Sequence, residues 1–324
     1  MKKNYFMLAF ATLMMAACAN NDLVDEGLVS EEVPQAIGFE TFSNKISRQV
    51  ADATALESYH DAFGVWAYKT VDTEKTVMEN YQVMKPDWTY AGVGTQTLKY
   101  WDKQATKYSF YAYAPYAASG VSISAGKIII EDDTYAATEN LQTTWGTSLN
   151  TSKFTTDTDW MIADPETVLT TNFGDDVEEE FKHIMSKLIV ILKSDDVAAG
   201  TKVEVTSVSV NNVHGKGSFI GTIWTATDDP KSISGIVGEL ESTSGYYSME
   251  YLLIPSNGAP TFSIQYTVND DTYTVTNAEI TNIPKFEANT CYTLTATIGL
   301  SPIEFTAEVS EFTVPGTGGS VSIQ

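Results

Sequence analysis

Residues 62–70 read AFGVWAYKT, and their side chains alternate between two sets. Phe63, Val65 and Ala67 fall on one face of an extended chain, whereas Trp66 and Tyr68 fall on the other. A period of two is typical of a β-strand, because successive side chains point to opposite faces of a sheet. This stretch therefore predicts a strand.

The same period recurs on both sides of this stretch. In residues 36–42, Ile37, Phe39 and Thr41 alternate with Gly38 and Glu40. Further examples are KYSFYAYAP (107–115), KVEVTSVSV (202–210), GYYSMEYLLIP (245–255), PTFSIQYTVNDDTYTVTNAEI (260–280) and CYTLTATI (291–298). Short strands separated by Gly, Pro, Asn and Asp indicate an all-β protein of the sandwich type rather than a parallel α/β sheet. Within them, VNDDTY is typical of a hairpin turn.

One segment is ambiguous between helix and strand. Residues 176–193, DVEEEFKHIMSKLIVILK, begin with acidic residues at possible helical spacing but end in a β-branched apolar run. We predict a strand, a short turn or helical piece, and a second strand. The preceding DPETVLTTNFGDD (164–176) mixes Pro, Gly and acids, which predicts a boundary between an N-terminal block, 49–173, and a C-terminal block, 174–300.

The N-terminus has the features of an export signal. Lys2 and Lys3 precede an apolar run, 6–15, that is too short to span a bilayer as a helix. LMMAAC then resembles the lipobox of bacterial lipoproteins, which predicts a signal peptide over 1–17 and lipidation of Cys18. The alternative is an ordinary secretory signal with a chance cysteine. The acidic stretch that follows suits a flexible tether.

The second cysteine, Cys291, is left without a partner if Cys18 carries lipid. Its place in an alternating stretch predicts a buried or half-buried apolar residue, with a reactive thiol as the alternative.

Charge excludes one class of partner. The net charge is −23 and the pI is about 4.3, with no stretch rich in lysine or arginine. Binding to a phosphate backbone needs clustered cations, so nucleic acid is not an expected partner.

No catalytic motif is present. The three histidines, His60, His183 and His214, lie far apart in the sequence, and no H-E-x-x-H, C-x-x-C or G-x-S-x-G occurs. Five Asp-Asp pairs and DDVEEE offer carboxylates for a cation, but they lack the ligand spacing of a known calcium loop and are interpreted as turns and a solvated connection. We therefore expect no enzyme activity, no metal and no cofactor; a surface hydrolase is a weaker alternative.

Four aromatic residues lie close together in PDWTYAGVGTQTLKYWDK (86–103): Trp88, Tyr90, Tyr100 and Trp101. If exposed, their rings would stack on sugars, and the chain would be a lipid-anchored glycan-binding module. The alternative is that they fill or border the core of a sandwich.

Taken together, the ordered stretches resemble the fimbrillins, the lipoprotein-derived pilin subunits of type V pili. The resemblance covers most of the chain. It rests on AIGFETF with an arginine after it, FGVWAYK, KYWDKQATKYSFYAYAP, DWMIADPETV running to FKHIMSKLIV, YLLIPSNGAPTFSIQYTV, and FEANTCYTLTATIGLSPIEFTAEVSEF.

The resemblance implies two tandem transthyretin-like β-sandwich domains and assembly by strand exchange at the outer membrane surface. An arginine-specific protease would cut between Arg48 and Gln49 and release residues 18–48, the lipidated tether with the first strand. Arg48 is the only arginine in the sequence. The partners implied are other fimbrillin subunits, the protease, and the outer membrane through the lipid on Cys18.

The C-terminal segment, 301–324, is the strand donor that the resemblance implies. Its alternating apolar residues are Ile303, Phe305, Ala307 and Val309, with Val321 and Ile323 after a Gly-rich hinge. From the residues alone, a hairpin that closes its own domain is equally consistent with this pattern.

Overall fold

The computed structural model describes residues 34–43, 56, 60–132, 144–146, 159–197, 200–235, 238–240, 246–280, 283–299 and 303–311. These residues form strands joined by turns, with one short 3-10 helix at Thr170–Asn172. The strands, in chain order, are β1 Phe39–Ser43, β2 Ala62–Thr70, β3 Glu74–Met84, β4 Lys107–Ala114, β5 Val121–Ser124, β6 Lys127–Asp132, β7 Thr144–Gly146, β8 Met161–Ala163, β9 Glu166–Leu169, β10 Val177–His183, β11 Ser186–Lys193, β12 Val203–Val213, β13 Gly217–Ile220, β14 Ile223–Ala226, β15 Lys231–Gly235, β16 Tyr246–Leu253, β17 Thr261–Val268, β18 Asp271–Glu279, β19 Thr290–Thr297 and β20 Glu304–Glu311. The predicted all-β class is confirmed.

The first sheet has the order β1-β10-β8-β4-β2-β3, and β9 pairs with β4. Apolar side chains of these strands and of the segment between β3 and β4 form one core, which includes Phe39, Phe63, Phe110 and Phe181. The strand β2 has buried residues on both of its faces, because a second layer covers the side that carries Trp66. Its predicted alternation is confirmed, although neither face is solvated.

A second core lies between two further sheets, β20-β19-β11-β16-β7 and β15-β12-β17-β18. Alternate residues of β11, Leu188, Val190 and Leu192, point into this core. Two antiparallel or mixed sheets that face each other through alternating apolar side chains form a β-sandwich.

The fourth sheet joins distant parts of the chain. Its order is β14-β13-β6-β5, so a hairpin from residues 217–226 extends a hairpin from residues 121–132. The indole nitrogen of Trp224 also donates to the carbonyl of Ile184 over 2.7 Å. This sheet supplies the layer that packs on Trp66 and Tyr113 of the first sheet.

The strand pairing differs from the predicted division between residues 173 and 174. Strand β10 pairs with β1 and β8 in the first sheet, and the change to the next sheet falls at Ile184 and Met185. Strand β7, from the first half, pairs with β16 of the second. Sheet partners are selected by complementary faces and edges, which a boundary read from turn residues does not report.

Two local predictions are confirmed. Residues 176–193 form strand β10, a two-residue break and strand β11. The stretch VNDDTY forms the two-residue turn between β17 and β18, in which Asn269 and Asp270 both have positive φ, 49° and 74°. Asn and Asp are among the residues that accept these angles in a tight hairpin.

Candidate functional site

Strand β1 lies at the edge of the first sheet. It pairs in parallel with β10 alone, from Phe39 opposite Val177 to Ser43 opposite Phe181. Just before β1, the chain is held on the other side by residues 99–101: the Ile37 amide donates to the Lys99 carbonyl, and the Trp101 amide donates to the Gln35 carbonyl, each over 2.9 Å. A few backbone hydrogen bonds therefore retain this segment, and no strand covers the outer edge of β1 in the described structure.

The inward face of β1 fills an aromatic groove. The ring of Phe39 makes edge contacts with Phe63, Tyr90 and Phe110, at centroid distances of 5.7, 5.9 and 5.9 Å. Ile37, one step earlier on the same face, is 1% exposed. We call this site the β1 groove; it is lined by these three aromatic residues and by the core-facing residues of β10.

A side-chain hydrogen bond also holds the backbone of Ile37, just before β1. The Tyr90 hydroxyl donates to the Ile37 carbonyl over 2.9 Å. Burial raises the pKa of this hydroxyl, so it stays protonated and keeps its donor role at neutral pH.

The inner face of β10 also carries a buried acid. Val177, Glu179 and Phe181 all point to the core, and Glu179 is fully buried. Burial, with a smaller contribution from the charge of Glu166, raises the pKa of Glu179 well above its usual range. The interpretation of DDVEEE as a solvated connection was wrong at this position. The alternation of Val177 and Phe181 about Glu179 was the signal that would have located it.

Three of the four clustered aromatic residues are buried. Trp88, Tyr90 and Trp101 are 8%, 3% and 7% exposed, whereas Tyr100 is 48% exposed. The ring of Trp101 stacks on Phe173 at 4.9 Å. The interpretation of these residues as core packing is confirmed for Trp88, Tyr90 and Trp101. Because their rings are buried, they are not placed to stack on a sugar, as the glycan-binding alternative requires.

Trp101→Ala is expected to lower the free energy of unfolding by about 3–5 kcal/mol, because it leaves a cavity among Tyr108, Phe110 and Phe173. Urea unfolding followed by circular dichroism measures the change. Tyr100→Ala, at the adjacent exposed position, is the matched control and is expected to change the value by about 0.5 kcal/mol or less. Equal effects of the two substitutions would contradict this packing.

Two histidines that lie far apart in the sequence meet at one aspartate. His183 Nδ1 lies 2.9 Å from Asp159 Oδ1, and His60 Nε2 lies 2.9 Å from the Asp159 carbonyl oxygen. All three residues are at most 5% exposed. His183 is thus held by a buried polar contact. His214 lies elsewhere and contacts Asp228.

The predicted donor residues Ile303, Phe305, Ala307 and Val309 lie on or beside β20, which pairs with β19 of the same chain. They are half-buried against the second core, where the Phe305 ring lies 5.1 Å from that of Phe262. For this segment, the hairpin alternative is the arrangement observed. Val321 and Ile323 lie outside the described residues, as do Cys18, Arg48 and Gln49.

The remaining candidate residues do not form a reactive site. Cys291 is buried, as predicted, and burial raises the pKa of its thiol. Within the described ranges, no group of three or more His, Cys, Asp or Glu side chains is placed to hold a metal ion. Over the same ranges, no helix has the length and apolar character needed to cross a membrane.

Comparison with known proteins relates this architecture to one family. The sequence model described as "Fimbrillin-like" matches residues 50–311. The chain is 22% identical over 228 residues to fimbrium subunit Fim1C of Phocaeicola vulgatus, an alignment that covers 65% of this chain. The chain spans 57% of the length of that relative.

Solved structures share the fold. A fimbrial protein from Bacteroides vulgatus aligns with a TM-score of 0.58 and 15% identity, over 86% of this chain and 100% of its own. A candidate cell adhesion protein from Bacteroides ovatus aligns with a TM-score of 0.56 and 18% identity, over 87% of this chain and 99% of its own. Because the family match covers most of the sequence, the chain belongs to the fimbrillin-like family.

Proposed function

We propose that this chain is a structural pilin subunit of cell-surface fimbriae that support adhesion. It is exported as a lipoprotein on Cys18, cut after Arg48, and polymerised when a strand of another subunit replaces β1. The observation that carries the proposal is the position of β1, an edge strand whose inward side chains fill an aromatic groove.

Loss of β1 leaves a strong acceptor. When the released segment leaves after the cut, Phe39 loses its contacts with three aromatic rings and the backbone edge of β10 becomes unpaired. Exposed apolar surface and unpaired amide and carbonyl groups both favour a replacement strand. An added strand supplies ladder hydrogen bonds, while its alternating side chains set the register.

In the sequence, the proposed cut site follows β1 and the proposed donor segment follows β20. Arg48 follows the last residue of β1 by five positions, and the family match begins at residue 50, after β1. Because β20 already pairs with β19, we assign the donor role to residues 312–324, which include Val321 and Ile323. Donation from one end to a groove near the other gives a head-to-tail contact, which builds open filaments rather than closed rings.

Treatment of the purified chain with an arginine-specific protease is expected to give a new N-terminus at Gln49 and then oligomers, detected by mass spectrometry and light scattering. Arg48→Lys is expected to remain uncut and monomeric. Lys45→Arg combined with Arg48→Lys moves the site by three residues, still beyond β1, and is expected to restore both cutting and assembly with an N-terminus at Ile46. A wild-type chain that is cut at Arg48 but stays strictly monomeric would contradict the proposal.

A chain that ends at Glu311 tests the donor assignment. Because β20 remains whole, this variant is expected to fold and to be cut at Arg48. Without a donor strand, it is expected to stay monomeric when no other subunit is present. Mixed with cut wild-type subunits, it is expected to accept one donor strand and cap the filament. Undiminished self-assembly of the truncated chain, measured by light scattering, would place the donor elsewhere.

A further inference from the structure

A buried carboxyl group in the β1 groove has no hydrogen-bond partner among the described residues. Glu179 is 0% exposed, and within that part of the chain neither of its carboxylate oxygens meets a donor. The strand position opposite it in β1 is Thr41, which is 2% exposed and whose hydroxyl also lacks a partner. The Thr41 hydroxyl and the Glu179 carboxyl group therefore lie on neighbouring strands without a hydrogen bond between them.

This arrangement is unusual for buried polar groups. Buried carboxyl groups in folded proteins are generally paired or hydrogen-bonded, because transfer out of water without compensation is unfavourable. Thr41 and Glu179 are directly adjacent in parallel register, yet the threonine hydroxyl does not hydrogen-bond to the acid. A longer side chain at the same position has the length to do so.

The chain pairs a different buried glutamate with a lysine on a neighbouring strand. Lys187 Nζ on β11 lies 2.9 Å from Glu250 Oε2 on β16, and the two side chains are 7% and 3% exposed. Their strands are adjacent in one sheet, as β1 and β10 are. A lysine on a strand next to β10 is thus a partner of a kind that this fold already accommodates.

We propose that Glu179 determines which strand the vacated groove prefers: one with apolar side chains at the positions of Ile37 and Phe39 and a lysine at the position of Thr41. This rests on the proposed strand exchange, and it identifies the chemistry of the incoming strand. Residues 37–41 of this chain satisfy the two apolar positions but leave the acid unpaired, so a lysine-bearing strand of another subunit gains an interaction that this segment lacks.

The sequence adds a consequence for assembly. Residues 312–324, FTVPGTGGSVSIQ, contain no lysine. A strand from residues 312–324 would therefore fill apolar positions without pairing Glu179, and a subunit whose donor strand carries the lysine is the preferred partner.

The first experiment uses the uncut chain and does not depend on strand exchange. Thr41→Lys is expected to raise the midpoint of urea unfolding in the wild-type background and to lower it in the Glu179→Leu background. Thr41→Met, similar in length but without a donor, is the control and is expected to give no such reversal. A Thr41→Lys effect of the same sign and size in both backgrounds would overturn the proposal.

The second experiment uses the cut chain and synthetic peptides with the sequence of residues 35–43, carrying either threonine or lysine at position 41. The lysine peptide is expected to bind at least tenfold more tightly, and Glu179→Leu is expected to abolish the preference. Equal binding of both peptides overturns this inference while leaving strand exchange intact. Binding of neither peptide counts against strand exchange, and the uncut variants still decide whether Glu179 takes a lysine partner.

Discussion

Phe39→Ala is expected to lower the free energy of unfolding by about 3–5 kcal/mol, because it removes the aromatic ring through which β1 fills its groove. That ring is 5% exposed and contacts Phe63, Tyr90 and Phe110. The neighbouring Glu40 points to solvent from the same strand, so Glu40→Ala is the matched control, with an expected change of about 0.5 kcal/mol or less. Urea titration of both variants measures the difference.

The same substitution has a second readout after cleavage. If β1 stays in its groove only through noncovalent contacts once the chain is cut, a loss of about 3 kcal/mol corresponds to roughly a hundredfold weaker retention of the released segment. Oligomers of Phe39→Ala should therefore form faster than those of the cut wild type, as measured by light scattering over time. If the substitution lowers stability but leaves the rate of oligomer formation unchanged, release of β1 from its groove does not control assembly.

Glu179→Leu is expected to raise the free energy of unfolding at pH 7 by about 2–3 kcal/mol, because it replaces an unpaired buried carboxyl group with an apolar one of similar size. The exposed Glu178, on the opposite face of β10, provides the control Glu178→Leu, which is expected to change stability little. A loss of stability in Glu179→Leu would show that the acid has a favourable role in the uncut chain.

The raised pKa of Glu179 also predicts a pH dependence. Between the ordinary pKa of glutamate and the raised value in the folded chain, the native state binds a proton that the unfolded state does not. Stability from this group is therefore highest below the ordinary value and falls as the pH rises through the folded pKa. The stability difference between Glu179→Leu and wild type should shrink as the solution is acidified from pH 7 toward pH 5, measured by urea titration at each pH. A stability difference that stays constant between pH 7 and pH 5 would contradict a raised pKa for Glu179.

Much of the local structure was predictable from the sequence. Alternation located β1 at Phe39 and Thr41, with Ile37 on the same face just before it, and it located β2 at Phe63, Val65 and Ala67. Asn269 and Asp270 identified a hairpin turn because their side chains tolerate the required backbone angles. These features depend on neighbours in the chain, so a single sequence reports them.

The strand partners were less predictable. Nothing near Phe219 indicates that its strand pairs with Ile130, some ninety residues earlier, because sheet pairing depends on edges and faces that meet only after folding. The same limit applies to the contacts of His60 and His183 with Asp159.

The acidic groove residue was missed for a different reason. Composition made DDVEEE look solvated, but strand geometry sends alternate residues of that run to opposite faces, and Glu179 falls on the buried one. The polarity of the run predicted exposure, whereas its alternation with the apolar residues Val177 and Phe181 predicted burial of Glu179. The alternation gave the correct result. Such conflicts are expected at functional positions.

The most direct test of strand exchange is the identity of the first residue in chains recovered from fimbriae sheared off intact cells, determined by mass spectrometry. We predict Gln49, with the segment that contains β1 absent from the polymer. Assembled chains that begin at lipidated Cys18 and still carry residues 39–43 would contradict the replacement of β1 by a strand from another subunit.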